Sequence, residues 1–182
     1  DGILSDTAQV EVIVDTIKTT KTLKKQLITT VNKEFIHSLP TTKTTTTEIL
    51  KAPENLRITQ EKEIHWIPTT PQLGENFITI EIKEEEETYL YNLSVFVNAP
   101  PIISYRPDNI EYINLNEVFQ FTLRSFEENE NQKHFWELQN SPENMKLENT
   151  TITWNANIPD YHLYEIVLSD TIDVDKFSGY IY

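Results

Sequence analysis

The sequence predicts an all-β protein made of two antiparallel β-sandwiches in tandem, and three observations carry that expectation. Apolar residues recur at every second position along several short segments, the spacing that turns one face of a strand into a core and the other toward solvent. Threonine, β-branched and poor in helix interiors, crowds the first third of the chain, in Thr16–Thr22 and in Thr41–Thr47 around Lys43. A block of about 85 to 88 residues occurs twice, which is the size of one sandwich domain and too long for a solenoid unit.

Val10, Val12 and Val14 open the alternating series. Leu23, Leu27, Ile28 and Val31 trace a helical stripe, but Thr29, Thr30 and Val31 dilute it, and extended chain is expected there. Further along, Ile78, Ile80 and Ile82 oppose Phe77 and Thr79, followed by Leu93, Val95 and Val97, then Phe119, Phe121 and Leu123. Glu84–Glu87 reads as the charged tip between two late strands of the first block. Pro100 and Pro101 remove two backbone donors just after a closing strand, which sets the boundary near Asn98–Pro101.

The repeat is visible residue by residue. Ala52-Pro53-Glu54-Asn55-Leu56-Arg57-Ile58 returns as Ser141-Pro142-Glu143-Asn144-Met145-Lys146-Leu147, and Ile64-His65-Trp66 returns as Ile152-Thr153-Trp154. Pro71 has its partner in Pro159, Phe77–Ile80 aligns with Tyr164–Val167, and Asn32–Phe35 resembles Asn116–Phe119. Ile49-Leu50 falls where Trp136 to Leu138 lies, and the closing strand Leu93–Val97 matches Gly179–Tyr182. The expected domains are therefore 16–98 and 99–182. Val10–Val14 aligns with Leu93–Val97, so residues 1–15 read as the closing strand of a preceding repeat, or else as the first strand of the next. On the first of these readings the chain is an excerpt of a longer protein.

Pro-Glu-Asn-Met-Lys-Leu, a turn, Ile-Thr-Trp, a short gap and Tyr164-Glu165-Ile166-Val167-Leu168-Ser169-Asp170 resemble the tandem cadherin-like, immunoglobulin-like repeats of bacterial surface proteins, related to the dystroglycan-type cadherin-like domain. The linker Val97–Ile103 with Arg106-Pro107 is similar to the junctions between such repeats. The resemblance implies a seven-stranded Ig-like or cadherin-like sandwich, a spacer or adhesion role, and no catalysis. Cadherins proper place acidic calcium ligands at each junction, whereas Asn98–Ile103 contains no carboxylate.

Composition narrows the functional classes. Lys and Arg number 15 against 29 Asp and Glu, a net charge of -14, which argues against a nucleic-acid partner. Residues 51–182 carry all of that excess. No apolar run is long enough for a membrane helix. With no Cys and three Gly, the chain has no thiol nucleophile, disulfide framework or Gly-rich phosphate cradle. His37, His65, His134 and His162 show no zinc-binding spacing.

Candidate sites are few. For calcium, the best clustered oxygens are Asp170, Asp173 and Asp175, and secondly Glu127, Glu128 and Glu130, with a solvated hairpin tip as the plainer reading of the first set. Trp66 and Trp154 are expected in the cores, because both copies place the same large apolar residue there. Trp136, Tyr161 and Tyr164 are the aromatics that would serve a glycan. Thr7, Thr16 and Thr171 sit in Asp-Thr-aliphatic triplets that resemble the O-glycosylation motif of exported Bacteroidota proteins, and Asn92 and Asn149 fit the N-glycosylation sequon. The expected function is a non-catalytic structural or adhesive spacer of a larger exported protein, extracellular or at the cell surface, or in the periplasm. Neighbouring repeats, other surface proteins or glycans are its expected partners. The rival reading is a glycan- or protein-binding module.

Overall fold

The computed structural model describes residues 21–41, 44–84, 87–157 and 159–182. Val10–Val14, Thr7 and Thr16 lie outside them. The regular secondary structure of the described residues is all strand except for one 3-10 turn at Thr70–Gln72.

Two apolar cores form, and they share no residue. The first gathers residues between Phe35 and Val97, with Ile64, Trp66, Ile78, Ile80 and Val95 at its centre. The second gathers residues between Ile103 and Ile181, centred on Ile152, Trp154, Tyr164, Ile166 and Leu168.

Around the first core, one sheet runs in the order β1 (Lys21–Thr30), β7 (Glu87–Asn98), β6 (Gly74–Glu84), β3 (Thr46–Lys51), and the other in the order β2 (Phe35–Ser38), β5 (Glu63–Trp66), β4 (Arg57–Ile58). Around the second core stand β9 (Ile110–Glu111), β16 (Val174–Ile181), β15 (His162–Ser169) and β12 (Phe135–Gln139), opposite β10 (Val118–Thr122), β14 (Thr151–Asn155) and β13 (Lys146–Glu148). An extra pair, β8 (Ile102–Tyr105) with β11 (Arg124–Phe126), completes the second set. The strand order is the same in both sets. Pairing is antiparallel except at β1, which joins β7 in parallel, and at β9, which joins β16 in parallel.

The match extends to register. Phe35 lies opposite Trp66 and Phe119 lies opposite Trp154. Asn32 N–H donates to Pro68 O at 2.8 Å, and Asn116 N–H donates to Ala156 O at 2.6 Å. Both asparagines are left-handed, at φ 61° and 67°, as are Asn55 at 64° and Asn144 at 65° in the Pro-Glu-Asn turns. Asparagine tolerates that conformation better than other β-carbon-bearing residues. The recurring asparagines are thus backbone requirements of the turns.

Two expected alignments are displaced: the closing strand Leu93–Val97 matches Phe177–Ile181 instead of Gly179–Tyr182, and the strand before it slips by one residue. Phe77 was expected to match Tyr164, yet Phe77 is 55% exposed and Tyr164 is fully buried. Pairing instead equates Asn76, opposite Val95, with Tyr164, opposite Gly179. A one-residue slip moves every side chain to the other face of a strand, and only the even offset, also that of Trp66 and Trp154, keeps Ile78 with Ile166 and Ile80 with Leu168 inside. The segment Leu23–Val31 that carries a weak helical stripe is strand β1 through Thr30.

Candidate functional site

The richest polar structure lies where the two strand sets meet, at residues 97–103. β7 ends at Asn98, whose side chain is wholly buried, and Ala99 is buried beside it. Such burial of an amide is tolerable only with partners, and Asn98 has three. Its amide donates to Asp170 Oδ2 at 2.8 Å and to Asp173 Oδ2 at 3.1 Å, and its Oδ1 accepts from Gln132 Nε2 at 2.9 Å. From the other side Asn129 closes on the linker backbone, accepting Ala99 N–H at 2.5 Å and donating to Val97 O at 3.0 Å.

Two loops of the second strand set therefore grip the end of the first. The loop between β11 and β12 is held in turn by Glu127, which accepts Asn129 N–H at 3.1 Å and faces His134 Nε2 at 3.3 Å, while His134 Nδ1 lies 2.7 Å from Ser125 Oγ. The loop between β15 and β16 is shaped by Asp170, whose Oδ1 accepts the N–H groups of Ile172 and Asp173, both at 2.7 Å. Asp173 reaches back across the junction to Thr30 Oγ1 at 3.0 Å and to Lys33 Nζ at 3.8 Å. Asp175 Oδ2 accepts Ile103 N–H at 2.8 Å, fixing the far end of the linker.

This arrangement decides how the acidic clusters are used. Asp170 is only 3% exposed, so the reading of Asp170–Asp175 as a solvated hairpin tip is corrected for its carboxylates: Asp170, Asp173 and Asp175 turn onto the linker and its surroundings, while Thr171, Ile172 and Val174 stay exposed. Each of the six oxygens of Asp170, Asp173 and Asp175 faces a protein donor, the last being Lys176 N–H on Asp175 Oδ1 at 2.8 Å. Calcium needs six to eight oxygens free to turn toward one point, and these are directed at amides and an ammonium. Among the described residues, no group of three His, Asp or Glu side chains is placed to hold a metal. Of the second set, Glu127 is buried in the network, while Glu128 and Glu130 are exposed.

The aromatic candidates separate. Tyr164 is fully buried, because the alternation that exposes Leu163 and half-exposes Glu165 turns Tyr164, Ile166 and Leu168 into the core; it is out of a ligand's reach. Burial raises its pKa, with Glu111 adding to the effect and Arg106 opposing it. Trp136 is half-buried opposite Leu168 and packs on the second core. Tyr161 is exposed, its ring centroid 4.5 Å from that of Tyr182, which stands 5.9 Å from Tyr112. Trp66 and Trp154 are 1% and 3% exposed. Thr171 is exposed at the tip of the Asp170–Asp173 loop, with φ 80°.

Sequence reasoning did not find Asn98, Asn129 or Gln132. No local signal marks them, since each acts on a partner 30 to 75 residues away, from Asn129 on Ala99 to Asn98 on Asp173. The histidines serve local structure: His37 Nε2 lies 2.9 Å from Tyr91 Oη, and His65 Nδ1 lies 3.1 Å from Glu34. Burial, and secondarily Lys25, hold His37 below the ordinary imidazole pKa, and burial raises that of Tyr91.

No protein-family model matches the chain, and no curated protein matches it. Among solved structures it is similar to extracellular domains 3–5 of Drosophila OTK, with a TM-score of 0.58 and 11% identity over 89% of this chain and 59% of that one. It is also similar to immunoglobulin domains 1–4 of Sidekick-1, with a TM-score of 0.55 and 9% identity over 90% and 47%. A three-immunoglobulin-domain segment of titin aligns with a TM-score of 0.50 and 11% identity over 87% and 62%. The fold is an immunoglobulin-like β-sandwich. An endo-fucoidan hydrolase of glycoside hydrolase family 107 aligns at a TM-score of 0.35, over 90% of this chain and 28% of its own, too loosely to bear on activity. Among the described residues no helix is long and apolar enough to cross a membrane.

Proposed function

We propose that the two cores are two immunoglobulin-like repeats meeting near Asn98–Pro101, and that the chain is a non-catalytic spacer or adhesive segment of a larger surface protein facing the extracellular side. The supporting observation is the junction. A linker held by Asn129, Asp170, Asp173 and Asp175 transmits orientation from one sandwich to the next, which is what a spacer requires. A catalytic site would call for an activated nucleophile or an acid and base across a cleft. Among the described residues, the titratable groups with perturbed pKa values are Tyr164 and Tyr91, raised chiefly by burial in or beside the cores, His37, lowered by it, and Lys83, raised by its exposed contact with Glu81. None of these settings supplies one.

Rotational diffusion of the intact chain, from NMR relaxation or residual dipolar couplings, tests the proposal. One alignment tensor is expected for both sandwiches, and two distinct tensors in Asn98→Ala/Asp170→Ala. Independent tumbling in the unaltered chain would remove the basis for a spacer role.

A further inference from the structure

Midway along the outer face of the sheet β1-β7-β6-β3, Lys24, Gln26, Phe77, Asn92 and Ser94 line a groove of about 540 Å³. The alternation that buries Ile78, Leu93 and Val95 turns Phe77, Asn92 and Ser94 outward. Register then joins side chains into rows across three strands: Gln26 lies beside Ser94 and Ser94 beside Phe77, with Lys24 beside Asn92 in the next row. Two strand spacings set the Phe77 and Gln26 backbones about 10 Å apart. On β3, the neighbour of β6 away from the groove, Lys51 Nζ stands over the Phe77 ring, 5.6 Å from its centroid.

The same face of the second sandwich is filled differently. Pairing equates Ser94 with Ser178 and Phe77 with Glu165, so a carboxylate replaces the ring, and it is engaged by Asn140 and by Ser178 Oγ. There β9 pairs with β16 only at Tyr180 and Ile181, and among the described residues no strand places a side chain beside Ser178 as β1 places Gln26 beside Ser94.

We infer that this face of the first sandwich is a binding site for an acidic glycan, one that carries carboxylate or sulfate groups. The Phe77 ring, more than half exposed, offers an apolar platform for the C–H face of a pyranose. The side chains of Lys24, Lys25, Gln26 and Asn92, all of which line the groove, have no hydrogen-bond or ion-pair partner among the described residues. The two amides supply donors and acceptors for sugar hydroxyls, and the two ammonium groups supply the charge that selects an anion. No carboxylate lines the groove, although the chain carries -14. The nearest acids along β6 are already engaged, Glu75 by Ser94 Oγ and Glu81 by Lys83 Nζ at 2.5 Å. An acidic peptide would use the lysines alone, whereas an acidic sugar uses the ring, the amides and the lysines together. The volume is that of small-ligand sites. The site stands whether or not the junction is rigid.

Amide NMR of the full 182-residue chain, isotope-labelled, tests it by titration with oligogalacturonate, a carrageenan oligosaccharide, cello-oligosaccharide and oligoglutamate. The first two tell carboxylate from sulfate. Saturable shifts at Lys24, Gln26, Phe77 and Asn92 are expected with at least one of them, weakening as salt rises to about 1 M, where charges are screened within about 3 Å. Phe77→Ala and Lys24→Gln should each weaken that binding about tenfold, whereas Phe77→Tyr, which keeps the ring, and Lys176→Gln, on the same face of the second sandwich, leave it unchanged. The spectra themselves show whether each variant is folded. Absence of these shifts with both acidic sugars overturns the inference, as does binding that survives Phe77→Ala and Lys24→Gln or that is equally tight for the neutral sugar. Oligoglutamate binding as tightly as the sugars assigns the groove to an acidic protein segment and also overturns it.

Discussion

The hairpin β6–β7 and the hairpin β15–β16 occupy the same place in their sandwiches and end differently. The first continues its ladder out to the pair Glu84 and Glu87, an acidic tip whose side chains add charge to the surface. The second closes sooner, at the pair Ser169 and Val174, and spends the intervening residues on a loop whose Asp170 is buried against Asn98. Both ends are acidic in sequence. What distinguishes them is what the acids meet: Glu87 pairs with Lys21 at the surface, whereas Asp170 meets the end of a neighbouring strand with an amide to satisfy. Side-chain volume is exchanged in the same way, since the cross-strand pair Asn76 and Val95 of the first sandwich becomes Tyr164 and Gly179 in the second.

The largest expected effects break the symmetry of the cores. Trp66→Ala and Trp154→Ala each remove a buried indole and should each cost about 3 to 5 kcal/mol, confined to their own sandwich. Urea melts followed by residue-resolved NMR would show one set of strands released before the other. A loss under about 1 kcal/mol in either would mean the ring is not in the core. The two indoles also differ: Trp154 Nε1 donates to Glu143 O at 3.1 Å, while Trp66 Nε1 is buried without a partner among the described residues and Glu54 O accepts instead from Gln72. Phenylalanine at each position therefore sharpens the comparison, with Trp154→Phe costing about 1 kcal/mol more than Trp66→Phe.

Next in size is Gly179→Ala. A Cβ there would lie 2.6 Å from Cζ and Oη of Tyr164, whose ring is fully buried and cannot retreat. The expected loss is about 1 to 3 kcal/mol, measured by denaturant melts. Relief by Tyr164→Phe would be partial, because Cζ remains; complete relief would show that only the hydroxyl is crowded.

These pairs also show what the sequence could disclose. The tryptophans, the Pro-Glu-Asn turns and the alternating strands are local signals, since each is set by neighbours within a few positions, and the paired sandwiches followed from their recurrence. Tyr164 was misread because a one-residue slip in a gapped alignment leaves the pattern plausible while inverting the face. The position of the junction was legible in Pro100 and Pro101, but its polar network was hidden for a different reason. Asp170 announces a carboxylate but not its burial, which depends on Asn98, 72 positions away and brought beside it by topology alone.

Asp170→Ala compares the two hairpin ends directly. It removes one of the two acceptors of the Asn98 amide and leaves the N–H groups of Ile172 and Asp173 without theirs, so about 1 to 3 kcal/mol should be lost from the second sandwich, together with part of its coupling to the first. Glu87→Ala at the other tip, where an exposed ion pair to Lys21 and an exposed hydrogen bond from the Tyr89 hydroxyl are lost, should change stability by less than about 0.5 kcal/mol. Equal effects in thermal melts would mean that the Asp170 network contributes no more than a surface charge.

The smallest expected effect depends on pH. His37, on β2 two residues after Phe35, corresponds to Phe121, two residues after Phe119 on β10. His37 stacks on Tyr91 with centroids 6.0 Å apart, whereas Phe121 stacks on Tyr105 at 5.0 Å. The groups that face the imidazole are the Tyr91 hydroxyl and the Phe35 ring, with Lys25 as the nearby charge. Burial first, and Lys25 second, lower its pKa below the ordinary 6.5, so the folded sandwich holds the neutral ring while the unfolded chain binds a proton more readily. Where the unfolded state binds more protons, stability rises with pH. The contribution of His37 is therefore complete above pH 6.5 and is lost as pH falls from there through the folded value. Melts at pH 7.5 and 5.5, bracketing about 6.5, should show the first sandwich weakening more than the second, and His37→Phe, which installs the second sandwich's residue, should erase that difference. If the first sandwich keeps its excess sensitivity to acid in His37→Phe, another group is responsible and the two strands do not differ in the way their side chains suggest.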